Sequence, residues 1–294
     1  AVVWSEAQAG NNVSTTVVNS YFENGSVAIK DMNNVNYYRV YQKVHNNVFS
    51  NFTSEKGAIQ FGDSQVDVSS NTFLNGTNNI LSRIGWTLEK DEVLSNDMEY
   101  HFNSLYIPEG TTLFINPGVK IKMNGSSITV RGSLEAMGTP DEPISISNQK
   151  GYSWGFLKFI NSTSSLNYVQ ISRGGLLHLE QISMVEAENS NLSFDHVNLF
   201  NPANDNHILH LKNSNIFMSK GNLYRSAFTS NSKGIKAEGG SLVLDNVNFN
   251  GFGYAIKIYK EGSLVLKNMN EDNFQNILSF KWWPQTAWSF ASST

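Results

Sequence analysis

The chain contains no cysteine, which excludes disulfides, zinc-thiolate sites and thiol nucleophiles. Charged residues make up only 16%, and the acidic ones outnumber the basic ones to give a formal charge of −4. A nucleic acid or an anionic membrane is difficult to bind without a basic surface, so the sequence argues against both as partners. No run of 18 or more apolar residues occurs, so no transmembrane helix is predicted.

Polar, uncharged residues are abundant instead. Asparagine makes up about 13% of the chain, and serine plus threonine about 17%. Such compositions are typical of disordered chains or of folds built from stacked turns. The 40% hydrophobic content with 12% aromatic residues favours the second class.

The sequence repeats itself at intervals of 22 to 27 residues. Taking the first leucine of the phrase Ser-Leu-Val-Leu as an anchor gives Leu166, Leu192, Ile216, Leu242 and Leu264. Two further series follow the anchors by two and by five positions: Tyr168, Phe194, Met218, Leu244 and Leu266, then Ile171, Val197, Gly221, Val247 and Met269. Nearer the N-terminus, the phrases NSYFENG, NNVFSNF and SNTFLNG repeat Phe22, Phe49 and Phe73. Internal repeats of this length indicate a solenoid.

The segments between the turns alternate apolar and polar residues over three to five positions, and none shows a sustained helical period. Sandwiches and propellers require longer antiparallel strands and a different period. The prediction is therefore an all-β fold, a parallel β-helix with rungs of about 22–27 residues. Residues one period apart should stack directly above one another.

Asparagine recurs at one position of the repeat, six residues after the anchor, as Asn198, Asn222, Asn248 and Asn270. Side-chain amides can donate and accept hydrogen bonds along such a column. We expect this column to stabilise the turns rather than to bind a ligand.

The repeat pattern changes between residues 85 and 150. The period is shorter there, and Pro-Glu-Gly and Asn-Pro-Gly turns separate strand-like segments. The characteristic residues are Gly110, Thr112–Ile115, Pro117-Gly118, Gly132–Ala136, Gly138-Thr139 and Pro143-Ile144. This block resembles the opening rungs of right-handed parallel β-helix proteins of the pectin-lyase-like superfamily. The resemblance implies a right-handed solenoid. It leaves the activity open, since members include lyases, hydrolases, adhesins and structural surface proteins.

Four segments are predicted on this basis: N-terminal rungs in 1–84, opening-type rungs in 85–150, regular rungs in 151–280 and an aromatic cap or linker in 281–294. Since opening-type rungs usually begin a solenoid, two arrangements are open. Either one solenoid continues through residue 85, or residues 1–84 end a preceding one. The first residues, AVVWSEAQAG, lack the features of a secretion signal, so we expect that a signal has been removed or that the chain is a piece of something longer.

Catalytic groups on this fold should recur as acids or bases one period apart on the outer face. The resemblance directs attention to the Asn-x-Asp, Asp-Asp, Gly-His-Gly and Arg-x-Lys phrases of polygalacturonase-like hydrolases, and apart from one isolated Asn-x-Asp at residues 270–272 none of them occurs. Calcium-dependent lyases need clustered carboxylates. The acidic residues of the repeats are instead scattered singly, as Asp195, Asp205, Glu238 and Asp245.

Three histidines lie close together in sequence, His196, His207 and His210, with Asp195 and Asp205 nearby. They are candidates for a metal or acid-base site. The alternative, which we favour, is that they are solvated residues of turns and outer faces. His178 is an isolated further candidate.

Lys236 and Lys257 are 21 residues apart and are candidates for a basic column beside an anionic groove, although two lysines alone more often form a solvated strand face. Near the C-terminus, Trp282, Trp283 and Trp288 form an aromatic cluster. Exposed aromatic rings bind sugars, but the end of a solenoid also needs a cover, and we favour a capping role or contact with a following domain.

These patterns favour a non-catalytic extracellular or cell-surface β-helix protein with a structural, adhesive or glycan-contacting role. The alternative is a polysaccharide lyase or glycoside hydrolase of the β-helix superfamily. We assign no catalytic, metal or cofactor residues and expect no cofactor. The expected partners are glycans, neighbouring surface proteins or further domains of the same polypeptide.

Overall fold

A computed structural model describes residues 3–5, 13–31, 40–54, 57–62, 65–149, 153–175, 183–226, 232–269 and 287–291. The fold is an all-β parallel β-solenoid of about 9 turns, which confirms the fold class predicted from the repeats. Within the described ranges, no helix is long and apolar enough to cross a membrane.

Residue contacts divide the chain into two compact units, unit 1 (1–87, 97–105 and 120–122) and unit 2 (88–96, 106–119 and 123–294). The strands of unit 1 are β1 (Val3–Ser5), β2 (Val13–Val18), β3 (Tyr21–Gly25), β4 (Ile29–Asp31), β5 (Val40–His45), β6 (Val48–Phe52), β7 (Ile59–Phe61), β8 (Gln65–Ser69), β9 (Thr72–Leu74) and β10 (Ile80–Thr87). They form three parallel sheets, ordered β1-β4-β7-β10, β2-β5-β8 and β3-β6-β9.

The core of unit 1 contains the repeated phenylalanines. Phe22 pairs with Phe49, and Phe49 with Phe73, in adjacent strands of the β3-β6-β9 sheet. The ring centroids are 5.2 and 5.5 Å apart and both pairs are stacked. The stacking predicted from the three repeated phrases is therefore confirmed.

The strands of unit 2 form the remaining rungs. They are β11 (Glu92–Leu94), β13 (Thr112–Ile115), β15 (Ile128–Val130), β16 (Ser133–Met137), β17 (Ile144–Asn148), β18 (Leu157–Ile160), β19 (Thr163–Asn167), β20 (Val169–Ser172), β21 (Val185–Glu188), β22 (Asn191–Asp195), β23 (Asn198–Phe200), β24 (His207–Ser219), β25 (Asn222–Tyr224), β26 (Lys233–Asp245), β27 (Asn248–Asn250), β28 (Tyr254–Lys267) and β29 (Ala287–Ala291). Two other strands, β12 (Glu99–Ile107) and β14 (Lys120–Met123), have residues in both units.

Unit 2 has three parallel sheets. The first, which we call the groove face, contains β11, β13, β16, β19, β22, the second halves of β24, β26 and β28, and β29. The second, the charged face, contains β15, β18, β21 and the first halves of β24, β26 and β28. The third contains β17, β20, β23, β25 and β27.

The register confirms most of the repeat alignment and corrects its first rung. Leu192, Ile216, Leu242 and Leu264 are consecutive partners, as predicted. Leu166, however, pairs with Phe194 rather than aligning with Leu192. The same shift of two residues corrects two other predicted positions. Ile171 pairs with Leu199 rather than aligning with Val197, and Tyr168 lies in the turn after β19 rather than aligning with Phe194. The alignment failed because a shift of two keeps every side chain on the same side of a strand.

Rung length also varies more than predicted. Residues bonded between adjacent rungs are 21 apart at Asp91 and Thr112 but 30 apart at Leu134 and Ser164. The additional residues lie between strands, where insertions into surface segments are tolerated. The predicted interval of 22–27 residues is therefore too narrow.

Turns explain much of the asparagine content. Among the described residues, sixteen positions other than glycine have positive φ, and eleven of them are asparagine: 19, 24, 46, 51, 75, 161, 189, 201, 213, 246 and 268. Asparagine tolerates the left-handed conformation because its short polar side chain can bond locally to the backbone. The conformation recurs at equivalent corners of successive rungs, where several turn residues donate their N–H to the next rung, as His196 does to Ser219 O at 2.9 Å.

The predicted asparagine column is confirmed over its described length. Asn198, Asn222 and Asn248 are consecutive partners in the third sheet. Asn222 Nδ2 donates to Asn198 Oδ1 at 2.6 Å, and Asn248 Nδ2 to Asn222 Oδ1 at 2.9 Å. Asn270, the fourth predicted member, lies outside the described residues.

Candidate functional site

Alternation on the charged face places one row of ionisable side chains outward. Lys158, Glu186, His210, Lys236 and Lys257 are consecutive partners across five strands. Their neighbours along each strand, such as Ile235 and Ala237 beside Lys236, are buried in the core. A second outward row runs parallel to the first and contains Glu188, Lys212, Glu238 and Tyr259.

The two ends of the charged face differ in charge balance. On β18 and β21, Lys158 Nζ lies 3.7 Å from Glu186 Oε2 and 3.6 Å from Glu188 Oε2, so one cation faces two anions. On the first halves of β24, β26 and β28, the described charged side chains include four lysines and one glutamate: Lys212, Lys233, Lys236, Lys257 and Glu238. The described C-terminal part of this face is therefore basic although the chain is acidic overall.

Glu238 organises the basic end. Its Oε1 atom forms an ion pair with Lys236 and lies 3.1 Å from His210 Nε2. Partial burial raises the pKa of Glu238, but the hydrogen bonds from Lys236 and His210 and the positive charge of Lys236 outweigh it and leave the pKa below its ordinary value. The carboxylate is consequently ionised at neutral pH.

Tyr259 lies beside two lysines of the first row. Lys257 Nζ is 4.6 Å from the centre of its ring, and Lys236 Nζ is 5.3 Å from it. Two ammonium groups from neighbouring rungs are thus directed toward one ring, which attracts cations through its negative face.

The two histidines of β24 have depressed pKa values. Burial lowers the pKa of His207 to about 3, assisted by the positive charges of Lys233, Lys236 and Lys257 and by His210. The pKa of His210 is also lowered, by burial and Lys236 against the opposing effect of Glu238. Both rings are therefore neutral at pH 7, and their centroids are 6.4 Å apart.

Acidification should destabilise unit 2 through His207. The folded-state pKa of about 3 lies below the ordinary value of 6.5, so this stabilisation is present above pH 6.5 and decreases as the pH falls toward 3. We expect a loss of about 2 kcal/mol in the free energy of unfolding between pH 7 and pH 5 from this group. His207→Gln should remove that part of the loss, measured by urea unfolding at both pH values.

His196→Gln is the matched control, because His196 lies at the corner after β22, whereas His207 lies at the start of β24. It should retain the pH dependence that arises from His207. Equal pH dependence in His207→Gln and the unmodified chain would contradict the assignment.

The three candidate histidines and the two nearby aspartates do not form a single cluster. His196 lies at the corner after β22, where its ring stacks on Tyr168 at 4.2 Å and its Nδ1 is 3.0 Å from Asp195 Oδ2. Asp205 instead lies 3.7 Å from Arg225 Nη1. Among the described residues, no group of three or more histidine, aspartate or glutamate side chains could hold a metal ion.

Lys236 and Lys257 are direct partners on adjacent rungs, as their spacing predicts. His178, Trp282 and Trp283 lie outside the described residues. Trp288 lies in β29, which pairs with β28 through Leu264.

Arg225 supports the basic end, and its role is not apparent in the sequence. Its side chain is 6% exposed and donates to the carbonyl oxygens of Asn204 at 2.7 Å and Lys233 at 3.2 Å, and also to that of Asn206. Burial lowers its pKa to about 10, so it remains cationic at neutral pH. It ties the segment before β24 to the start of β26, where His207 and Lys233 are partners.

The groove face carries a different surface. An open depression of about 320 Å³ is lined by Thr163, Ser164, Ser165, Asn191, Leu192, Ser193, Asn215, Ile216, Phe217, Ser241 and Val243. Serine, threonine and asparagine residues line the depression beside Phe217, which is 43% exposed, and most of the exposed lining is apolar. Asn215 Nδ2 donates to Asn191 Oδ1 at 2.9 Å, which fixes the orientation of both amides at the edge of the depression.

Comparison with protein-family models, curated proteins and solved structures gives no match to this chain. The parallel β-solenoid is shown by the structure itself.

Proposed function

We propose that the chain is a non-catalytic β-solenoid of the cell surface or extracellular space that binds glycan on the groove face. The supporting observation is the depression of about 320 Å³, a mostly apolar surface beside the exposed ring of Phe217 that is lined by serine, threonine and asparagine residues. A sugar offers hydroxyl groups that can bond to serine and asparagine, and an apolar C–H face that can pack against an aromatic ring.

The repeat favours a polymer over a single sugar. Thr163, Asn191, Asn215, Ser241 and Ser263 form one outward row of consecutive partners. Adjacent parallel strands lie about 4.8 Å apart, so similar donors and acceptors recur at that interval. An extended chain that lies across the strands would meet them repeatedly, while the sheet keeps their positions fixed.

Phe217→Ala should weaken binding to the neutral polysaccharide that the unmodified chain retains best in a pull-down panel of insoluble glycans. Loss of an exposed stacking ring costs about 1 kcal/mol, which corresponds to a five- to tenfold weaker affinity. The quantity to measure is the dissociation constant from depletion isotherms.

Tyr224→Ala provides the control, since Tyr224 is 39% exposed but lies on the third sheet. Its affinity should equal that of the unmodified chain. Failure to bind any glycan in the panel would overturn the proposal. Depolymerisation of acidic or neutral polysaccharides, with or without calcium, would overturn the non-catalytic role and favour a lyase or hydrolase.

A further inference from the structure

The basic end of the charged face is a second surface, separate in chemistry from the groove face. We define the lysine cluster as Lys233, Lys236 and Lys257 with His207 and His210, which lie on the first halves of β24, β26 and β28. In-register pairing brings these groups together from three rungs, although they are spread over 51 positions of the sequence.

The charge of the cluster is only partly compensated. Glu238 pairs with Lys236, and it is the one acidic side chain described on the outward side of these three half-strands. Lys257 lies over the ring of Tyr259, 4.6 Å from its centre. Lysines from neighbouring rungs repel one another, and an anion between them would relieve the repulsion.

The lowered pKa values of the two histidines are consistent with a positive electrostatic potential at the cluster. The pKa of His207 is lowered first by burial and then by the charges of Lys233, Lys236 and Lys257 and by His210. A neutral imidazole can still donate one ring N–H to a bound anion, so both histidines can contribute hydrogen bonds without adding charge.

We infer that the lysine cluster binds a tetrahedral oxyanion, a sulfate or phosphate ester group carried by a glycan. Lysine supplies compact point charges from several directions and is a common ligand of phosphate groups, which suits a tetrahedral oxyanion. The charged side chains of the cluster are lysines, and the nearby Arg225 is buried and engaged with backbone carbonyls.

The identity of the carrier as a glycan rests on the proposed function, but the anion site does not. Titration calorimetry with dextran sulfate and with uncharged dextran of equal length tests the site directly. We expect dextran sulfate to bind, dextran not to compete for the cluster, and the double variant Lys236→Gln/Lys257→Gln to bind dextran sulfate at least tenfold more weakly.

A matched double variant separates a built site from general attraction between charges. Lys158→Gln/Lys220→Gln removes two lysines of the same unit outside the cluster, one between Glu186 and Glu188 and one at an exposed corner. It should retain most of the affinity at 150 mM salt. Equal losses in the two double variants, or no binding of dextran sulfate, would overturn the inference.

Two further arms identify the source of the oxyanion. Displacement of dextran sulfate by sodium phosphate or sodium sulfate at low millimolar concentration would support the anion site but overturn the glycan as its carrier. Phe217→Ala should leave dextran sulfate binding unchanged. Normal dextran sulfate binding by a chain that retains no neutral glycan would therefore contradict the groove proposal alone.

Discussion

Gly240→Ala is expected to lower the free energy of unfolding by about 3 kcal/mol. Gly240 has φ +79°, and an added Cβ would lie 2.1 Å from Ser214 O and 2.6 Å from Ser214 N. Because both atoms belong to the backbone of the adjacent rung, the clash cannot be relieved by rotating a side chain. Left-handed φ costs about 1 kcal/mol for alanine, and the forced separation of two rungs adds the remainder.

The position is sensitive because it continues a buried serine ladder. Ser162 N donates to Ser190 Oγ, and Ser190 N to Ser214 Oγ, both at 3.1 Å. Gly240 is the partner of Ser214 in the next rung, and Gly262 follows it. The corner closes too tightly there for a side chain.

Gly125→Ala is the matched control. Gly125 has φ +85°, but an added Cβ would meet no atom within 4 Å. It should lose only the conformational part, about 1 kcal/mol. Urea unfolding followed by circular dichroism compares the two variants, and equal losses would show that contact with Ser214 is not the cause.

Phe49→Ala should destabilise unit 1 by about 4 kcal/mol. The side chain is fully buried, stacks on Phe22 and Phe73, and meets Phe52 edge to face at 6.3 Å. Truncation would remove buried apolar area, leave a cavity and break ring contacts on several sides. The measurement is thermal unfolding followed by near-ultraviolet circular dichroism.

Tyr21→Ala is the corresponding surface change, since Tyr21 lies in β3 and is 59% exposed. Its effect should stay within about 0.5 kcal/mol. A loss in Phe49→Ala no larger than that in Tyr21→Ala would contradict a continuous aromatic core in unit 1.

The spacing of residues in the sequence predicts only part of the two candidate surfaces. Lys236 and Lys257 are predictable from the sequence because they are 21 residues apart, close to one period of the repeat, and they are direct partners on adjacent rungs. Lys233 and Tyr259 were not, because their contribution depends on which side of the strand they face and on the rung above. Phe217 is an ordinary outward residue in the sequence, and its place in a depression becomes visible only when residues of neighbouring rungs line up beside it.

The metal hypothesis failed for a related reason. His196 and His207 are close in sequence, but the chain turns at the corner after β22 and forms β23 before β24 begins. In a solenoid, residues that are close in sequence within one rung often lie on different faces. Residues that are close in space are usually about one rung apart in sequence. Sequence distance within a rung is therefore a poor guide to a site.

The sequence by itself determined the solenoid, its repeated core positions and its asparagine column, because stacked rungs need similar residues at similar places and leave a period that can be read directly. The tertiary structure decided the register of the rung that begins at Leu166, the left-handed turns and the composition of the two outer surfaces. Alternation is unchanged by a shift of two residues, and the length of a loop is not encoded in the strands it joins. Only the packed coil fixes which outward side chains become neighbours, and those neighbours give each face its chemistry.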